Sequence, residues 1–323
     1  MNRVLSNSLL EEILDKARPS INEADADGHI PTVADYIPKL GSANRDHLCV
    51  YAITTGAQHF KAGKHEELTQ PFTMQSIAKT FSLILALQTV GEDEVFSRVG
   101  VEPTGDAFNC MTKMVESKNI VPFNPMINAG GISTASCCIK EGGNSDETYN
   151  KFLELVRKLC GRDTIDIDHE VYLSEKDTGT RNRAMAYLME GANVLKSDAK
   201  ETVDFYFKIC STSVTVKDLA KYAAVLANSG IDPVTGEVLV DKKIVKIVKS
   251  IMLTCGMYDQ TGRFVFDVGM PAKSGVGGGI IACAENNMGI ATFGPALNGK
   301  GNSAGGIQIL KHLSEELGLH LFS

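Results

Sequence analysis

Tryptophan is absent from the 323 residues, and no two cysteines stand at C-x-x-C spacing. The eight cysteines, at positions 49, 110, 137, 138, 160, 210, 255 and 283, lie mostly inside apolar stretches. They read as buried small hydrophobes of a reducing compartment, not as a disulfide framework. The adjacent pair Cys137-Cys138 is given no role, because neighbours in sequence rarely bridge. Histidine is sparse and scattered, with no H-E-x-x-H and no cluster at ligand spacing, so neither a metal nor a cofactor is expected. Positive charge is in deficit: 32 Lys and Arg against 39 Asp and Glu leave a net charge of −7. Nucleic acid needs a concentrated basic face and is excluded as a main partner. No basic and apolar leader opens the chain, and no run of about eighteen apolar residues is present. A cytoplasmic protein without membrane contact is expected.

Hydrophobic residues at 43% and charged residues at 22% are ordinary for a globular chain of this length. Asn7 to Lys16 carries Leu9, Leu10, Ile13 and Leu14 on one helical face. Asp25-Ala26-Asp27-Gly28 has half the spacing of a calcium loop without the later ligands, and reads as a turn. Leu48–Thr54 reads as a buried strand that Gly56 turns back toward a second strand ending at Ala62-Gly63. From Thr80 to about Ser250 the pattern is mostly helical. Helices are expected at Asn150–Cys160, Arg183–Met189, Val203–Cys210, Lys217–Asn228 and Lys242–Met252, the fourth with a capping box from Thr215 to Asp218. Short β-branched runs follow at Arg263–Val268, Gly279–Cys283 and Gly289–Phe293, and a last helix at Ser303–Leu317. The fold class that results is α/β of the α+β kind: an antiparallel sheet built from both termini, flanked by helices, with an inserted all-helical lobe. Its expected boundaries are a sheet lobe at about 30–75 plus 256–323, a helical lobe at about 76–255, and a helical extension at 1–30, all in one domain of 323 residues. The cleft is expected between sheet and lobe.

Ser76 precedes Lys79 by three residues at the start of an apolar helical run, which places hydroxyl and amine one turn apart on one face. A serine needs a neighbouring base, and a lysine becomes one when burial depresses its pKa. Lys273-Ser274-Gly275 sits near the late strands, and S-x-x-K followed by K-[ST]-G is the order found in β-lactamases and penicillin-binding proteins. The S-x-N element of that group is missing; Ser145-Asp146-Glu147 imitates it in a polar loop without the asparagine. Two other patterns mislead. Gly294 to Gly301 has P-loop glycine and lysine spacing, but Gly301 replaces the Ser or Thr and Pro295 removes a donor. Gly275-Val276-Gly277-Gly278-Gly279 does not open a helix, and reads as a turn that lets backbone approach a substrate.

Phe72–Lys79, Asn124–Gly130, Ser174-Glu175 with Arg181-Asn182-Arg183-Ala184, Met252–Tyr258 and Pro271–Val276 together resemble the serine-dependent glutaminase family, of β-lactamase-like fold. The resemblance runs from about Tyr36 to the C-terminus, and the short bacterial form, without an appended repeat domain, is expected. It implies hydrolysis of L-glutamine to L-glutamate and ammonia. Ser76 would attack the carboxamide carbon, Lys79 would take or relay its proton, and Tyr258 would be a further proton-transfer group. The backbone N–H groups of Ser76 and Val276 would form the oxyanion hole. Tyr36, Ser76, Asn128, Glu175, Asn182, Tyr206, Tyr258 and Val276 would bind substrate, Glu175 taking the α-ammonium. Lys273 is placed at the catalytic site, either supporting local electrostatics or pairing with a cleft carboxylate. The resemblance also implies a homodimer or homotetramer. Ala78 where a second serine is common, and Gly131 where alanine is common, are departures expected to touch no chemical role. A β-lactamase-type acyl-transfer enzyme and a catalytically silent ligand-binding relative are the alternatives.

Overall fold

The computed structural model describes residues 3–105 and 120–323, so Cys110 lies outside the described residues. Strands β1 (Cys49–Thr54), β2 (His59–Ala62), β3 (Phe72–Thr73), β4 (Asp166–Ile167), β5 (Thr212–Val214), β6 (Ala272–Ser274), β7 (Gly279–Ala284) and β8 (Met288–Phe293) form two antiparallel sheets among the described residues. The larger has the order β2-β1-β8-β7-β6, so N-terminal and C-terminal segments interleave in one sheet. Tyr51 stands opposite Ala291, and Lys273 opposite Ile281. The smaller sheet, β3-β5-β4, ties the segment before Ser76 to the helices through the pairs Phe72–Val214 and Thr73–Ser213.

Alternation along the strands explains why both faces of the large sheet are covered. In β1, Cys49, Tyr51 and Ile53 enter one core, while Val50 and Ala52 enter a second. β7 splits the same way, with Ile281 and Cys283 on the first side and Ile280, Ala282 and Ala284 on the other. The second core is closed by the helices Asn7–Ala17 and Ala304–Leu317, which bury Leu9, Leu10, Ile13, Ile309, Leu310 and Leu313. Ser6 accepts from the Leu9 N–H and Ser303 from the Gly306 N–H, satisfying first-turn donors at both helices. The first core lies between the sheet and the helical lobe. There the helices Ala78–Val90 and Val216–Ala227 meet through Phe81 stacked on Tyr222, ring centroids 3.8 Å apart.

The expected capping box is formed: Thr215 and Asp218 bond reciprocally at the start of Val216–Ala227. The expected helices are present as Ser145–Cys160, Thr180–Gly191, Ala199–Cys210 and Lys242–Cys255, each extended by up to five residues at an end. Two expectations are corrected. Arg263–Val268 is not a strand but part of the helix Thr261–Asp267, because Arg263 pairs with Asp267 one turn on and Phe264 alone of its two phenylalanines turns inward, Phe266 being 75% exposed. Ser145-Asp146-Glu147 is not a loop: it opens the helix Ser145–Cys160, capped by Asn144. The Asp25 turn is filled by backbone donors, its carboxylate accepting from the N–H groups of Asp27, His29 and Gly299. Among the described residues no helix is long and apolar enough to cross a membrane.

Candidate active site

Ser76 stands in a single 3-10 turn, Gln75–Ile77, that leads into the helix Ala78–Val90. Gln75 has φ of +48°, a left-handed conformation that costs a non-glycine residue roughly 1–2 kcal/mol. It is held by the β3–β5 pairing behind it, where the Met74 N–H donates to the Thr212 carbonyl. The kink lets the Gln75 side chain reach across the cleft, donating to Glu175 Oε1 at 2.7 Å and Thr73 Oγ1 at 3.2 Å.

Lys79 is fully buried, and its Nζ donates to Ser76 Oγ at 2.9 Å and to Asn128 Oδ1 at 2.7 Å. Burial depresses its pKa to about 8, against the opposing effects of Cys210 and Glu175. Roughly a tenth of the molecules therefore carry a neutral amine at pH 7. Asn128, the first residue of the helix Asn128–Cys138, also accepts from the Tyr206 hydroxyl at 3.2 Å. Two donors on Oδ1 fix which way the amide points: its Nδ2 faces Asn182 Oδ1, 3.3 Å away, and the wall beside it.

Glu175 comes from the helix His169–Thr178 and is 6% exposed. Burial lifts its carboxyl to about 7, while the Gln75 hydrogen bond and the Lys79 charge pull the other way. Tyr206, on Ala199–Cys210, is buried enough to keep its hydroxyl protonated, its pKa held well above the ordinary value.

The third side of the site is the turn between β6 and β7. The Gly278 N–H closes onto the Gly275 carbonyl, and the turn lies directly on the nucleophile segment. A Cβ on Gly275 would meet the Met74 carbonyl oxygen at 2.5 Å, and one on Gly277 the Thr73 carbonyl oxygen at 2.5 Å. Glycine is what permits that approach, and it carries Val276 to the nucleophile. Tyr258 has φ of +54° and donates to the Ser274 carbonyl at 3.2 Å. Burial raises its hydroxyl pKa, against hydrogen bonds from the Ser76 side chain and the Val276 N–H. The Ser76 hydroxyl, the Tyr258 phenol and one backbone donor thus meet at a point.

Of the two alternatives for Lys273, pairing with a cleft carboxylate is corrected, since its Nζ meets a backbone carbonyl and an aromatic ring and makes no ion pair among the described residues. Its Nζ donates to the Ser274 carbonyl at 2.6 Å and lies 4.5 Å from the centroid of the Tyr258 ring. Burial first, then the Lys79 charge, hold it well below the ordinary lysine range. Gly131 is also corrected as a position without chemical bearing, since it faces the Lys79 side chain.

A cavity of about 290 Å³ opens above Ser76, lined by Tyr36, Gln75, Asn128, Glu175, Asn182, Tyr206 and Val276 together with Arg181 and Cys210. Tyr36 is 55% exposed at the mouth. Lys79, Tyr258 and Lys273 are not in its lining; the first two reach it through Ser76. Gln75, Arg181 and Cys210 are cavity residues that reading the sequence did not single out. Gln75 had one signal, its place beside the nucleophile; Arg181 and Cys210 had none beyond adjacency to Asn182 and to the Tyr206 helix. The cavity is small, with an acid at one wall, fixed amides and phenols at another, and the Ser76 hydroxyl with the Lys79 amine behind it at the floor.

The glutaminase family model matches residues 32–322. This chain belongs to the glutaminase family. It is 46% identical over 316 residues to a glutaminase of Clostridium botulinum strain Loch Maree, covering 98% of this chain and 100% of that one. It is 47% identical over 290 residues to glutaminase 2 of Clostridium perfringens, covering 90% and 93%. The covalent complex between the Bacillus subtilis glutaminase YbgJ and 5-oxo-L-norleucine superposes with a TM-score of 0.85 at 34% identity, covering 98% of this chain and 99% of that one. The fold is that of the bacterial glutaminases, β-lactamase-like, and the chain is an amidohydrolase of that family.

Proposed function

We propose that this glutaminase converts L-glutamine to L-glutamate and ammonia through a glutamyl ester on Ser76. The observation that carries this reading is the 2.9 Å contact between Ser76 Oγ and the fully buried Lys79 Nζ at the floor of a cavity of amino-acid size. The α-ammonium of glutamine pairs with Glu175, whose carboxyl gives up its proton readily once a cation arrives to offset its burial. Asn182 and the second Nδ2 hydrogen of Asn128 are the donors for the α-carboxylate, while the Tyr206 hydroxyl holds Asn128 in that orientation.

Neutral Lys79 takes the Ser76 proton as the Oγ–carbon bond forms. The carboxamide oxygen becomes an oxyanion held by the Ser76 and Val276 N–H groups. The ammonium of Lys79, with the Tyr258 hydroxyl as relay, gives its proton to the amide nitrogen, and collapse then breaks the carbon–nitrogen bond so that the nitrogen leaves as ammonia. Water then attacks the ester, its proton passing to Lys79, and glutamate leaves with Ser76 restored. Lys273 acts on this sequence by holding the Ser274 carbonyl and the Tyr258 ring. The covalent adduct formed by the Bacillus subtilis relative with a diazo analogue supports an enzyme-bound intermediate. A cytoplasmic homodimer or homotetramer belongs to the same proposal.

The test is ammonia and glutamate release from L-glutamine by the native protein and by Ser76→Ala, with asparagine and a penicillin-type amide for comparison. Turnover of glutamine that disappears in the variant is expected. Turnover that survives in Ser76→Ala would overturn the mechanism.

A further inference from the structure

The segment with P-loop spacing, Gly294 to Gly301, packs through Asn298 against the turn that carries Tyr258. Asn302 is fully buried, and its Nδ2 donates to the Met257 carbonyl at 3.2 Å and to Gln260 Oε1 at 3.0 Å. These two acceptors flank Tyr258 on either side. Asn298 Nδ2 donates to the same Gln260 oxygen at 2.9 Å, while Asn298 Oδ1 gathers the N–H groups of Lys300 at 3.0 Å and Asn302 at 3.1 Å. The loop is anchored in turn by the Gly299 N–H on Asp25 and by the Thr32–Leu297 backbone bridge.

Tyr258 needs such support. Its left-handed backbone, φ +54°, is unfavourable for a tyrosine and persists only where surrounding structure enforces it. Thr261 Oγ1 fastens one side, donating to the Tyr258 carbonyl at 2.8 Å and accepting the Met257 N–H at 3.0 Å. The Asn302 amide fastens the other. Its Oδ1 is buried with no hydrogen-bond partner among the described residues, a cost that leaves the donor side as the reason for an asparagine here.

We infer that Asn302, acting through Gln260 and the Met257 carbonyl, is a positioning residue that holds Tyr258 at the nucleophile. This rests on the reading of Tyr258 as a proton-transfer group. Freed from the clamp, residue 258 relaxes toward right-handed backbone and its hydroxyl leaves Ser76, while the cavity wall that binds the amino acid end is untouched. The loss should therefore fall on kcat and not on KM.

The experiment is a double-mutant cycle on glutamine hydrolysis with Asn302→Leu and Tyr258→Phe. Asn302→Leu is expected to lower kcat about tenfold or more with KM changed by less than about threefold, and to lower it no further in the Tyr258→Phe background. An equal loss in both backgrounds, or an unchanged kcat, overturns the clamp while leaving Tyr258 its role. A Tyr258→Phe enzyme with full kcat overturns the role of the phenol, and the clamp falls with it. Gln260→Met, at a half-buried position, reads the same cycle if Asn302→Leu does not fold, with a loss of about threefold expected and an unchanged kcat again counting against the inference.

Discussion

Gly131 lies against the methylene stem of Lys79: a Cβ at this position would meet Lys79 Cε at 2.8 Å and Cγ and Cδ at 3.2 Å. Because the lysine is fully buried, its stem has only the room this glycine leaves. Gly131→Ala is expected to push the stem by a few tenths of an ångström and lower kcat by a factor of about three to ten, with KM little changed. Gly131→Val should cost about a hundredfold. Steady-state kinetics on the two variants check this, and an unaltered kcat in both would show that the stem relaxes without disturbing its bond to Ser76.

Ser76 and Lys79 were legible because they share one helical turn, where sequence spacing is spatial spacing. The β1, β7 and β8 strands and the Thr215–Asp218 capping box were legible for the same local reason. The helix Asn128–Cys138 was not, since it is buried on every side but its first residue and shows no polar stripe to betray its period. His169–Thr178 fails in the opposite direction: of its ten residues only Val171 and Glu175 are buried. The strands of the small sheet are two or three residues long, and their pairing joins segments far apart in the chain. Gln75 shows the limit of spacing arguments. Its reach to Glu175 depends on a left-handed backbone enforced by the β3–β5 pairing, and no local pattern encodes it.

The pH dependence of catalysis follows from two buried groups. In the proposed mechanism Glu175 is ionised to receive the ammonium and Lys79 is neutral to take the serine proton, and their pKa values lie at about 7 and about 8. For the free enzyme, kcat/KM should climb through this interval and level off above it, until the substrate ammonium itself loses its proton. Lys79→Arg, which keeps a permanent charge, is expected to lower kcat by about a thousandfold on the alkaline plateau and to abolish the rise with pH that comes from residue 79. A profile that is flat from pH 6 to 9 would remove Lys79 as the working base.

Substrate binding is provided for at the expense of stability in the empty protein. The Glu175 carboxyl is raised from 4.5 to about 7 on folding, so the stability it contributes is complete below about pH 4.5 and is lost as pH rises through 7. At pH 8 the ionised, buried group is a liability on the order of 2–3 kcal/mol. Glu175→Gln keeps an acceptor for the Gln75 amide and removes the charge. It should raise Tm by a few degrees at pH 8 and hardly at all near pH 5, while raising KM for glutamine by about a hundredfold. Thermal unfolding at the two pH values, beside steady-state kinetics, checks both; a Tm that falls at pH 8 would mean that the carboxylate is better solvated than its burial implies.

The helix that carries Glu175 is itself tied down by one carboxylate on the adjoining face. Asp204 accepts from the Tyr172 hydroxyl at 2.6 Å, Lys176 Nζ at 2.8 Å and Ser145 Oγ at 2.7 Å, and pairs with Lys208 Nζ at 2.6 Å. Tyr172 and Lys176 stand one turn apart on the face next to Glu175, so Asp204 fixes the rotation of the helix about its axis. Burial alone would raise the Asp204 pKa, but the hydrogen bonds from Lys176, Lys208, Tyr172 and Ser145 outweigh it and hold the carboxyl well below the ordinary range. A depressed carboxyl contributes stability above its unfolded pKa, near 3.8, and loses it as pH falls further. Asp204→Asn removes the charge but keeps one oxygen, leaving Lys176 with a neutral acceptor and Lys208 with Asp146 as its remaining ion pair. With Asp204 partly exposed, the loss of stability at pH 7 should be about 2 kcal/mol, disappearing in strong acid. The helix is then free to rotate, and KM for glutamine is expected to rise several-fold before kcat changes. Denaturant unfolding at pH 7 and pH 3, with kinetics at pH 7, tests the two halves separately: unchanged KM with lowered stability would confine Asp204 to holding the lobe together, without a hand in placing Glu175.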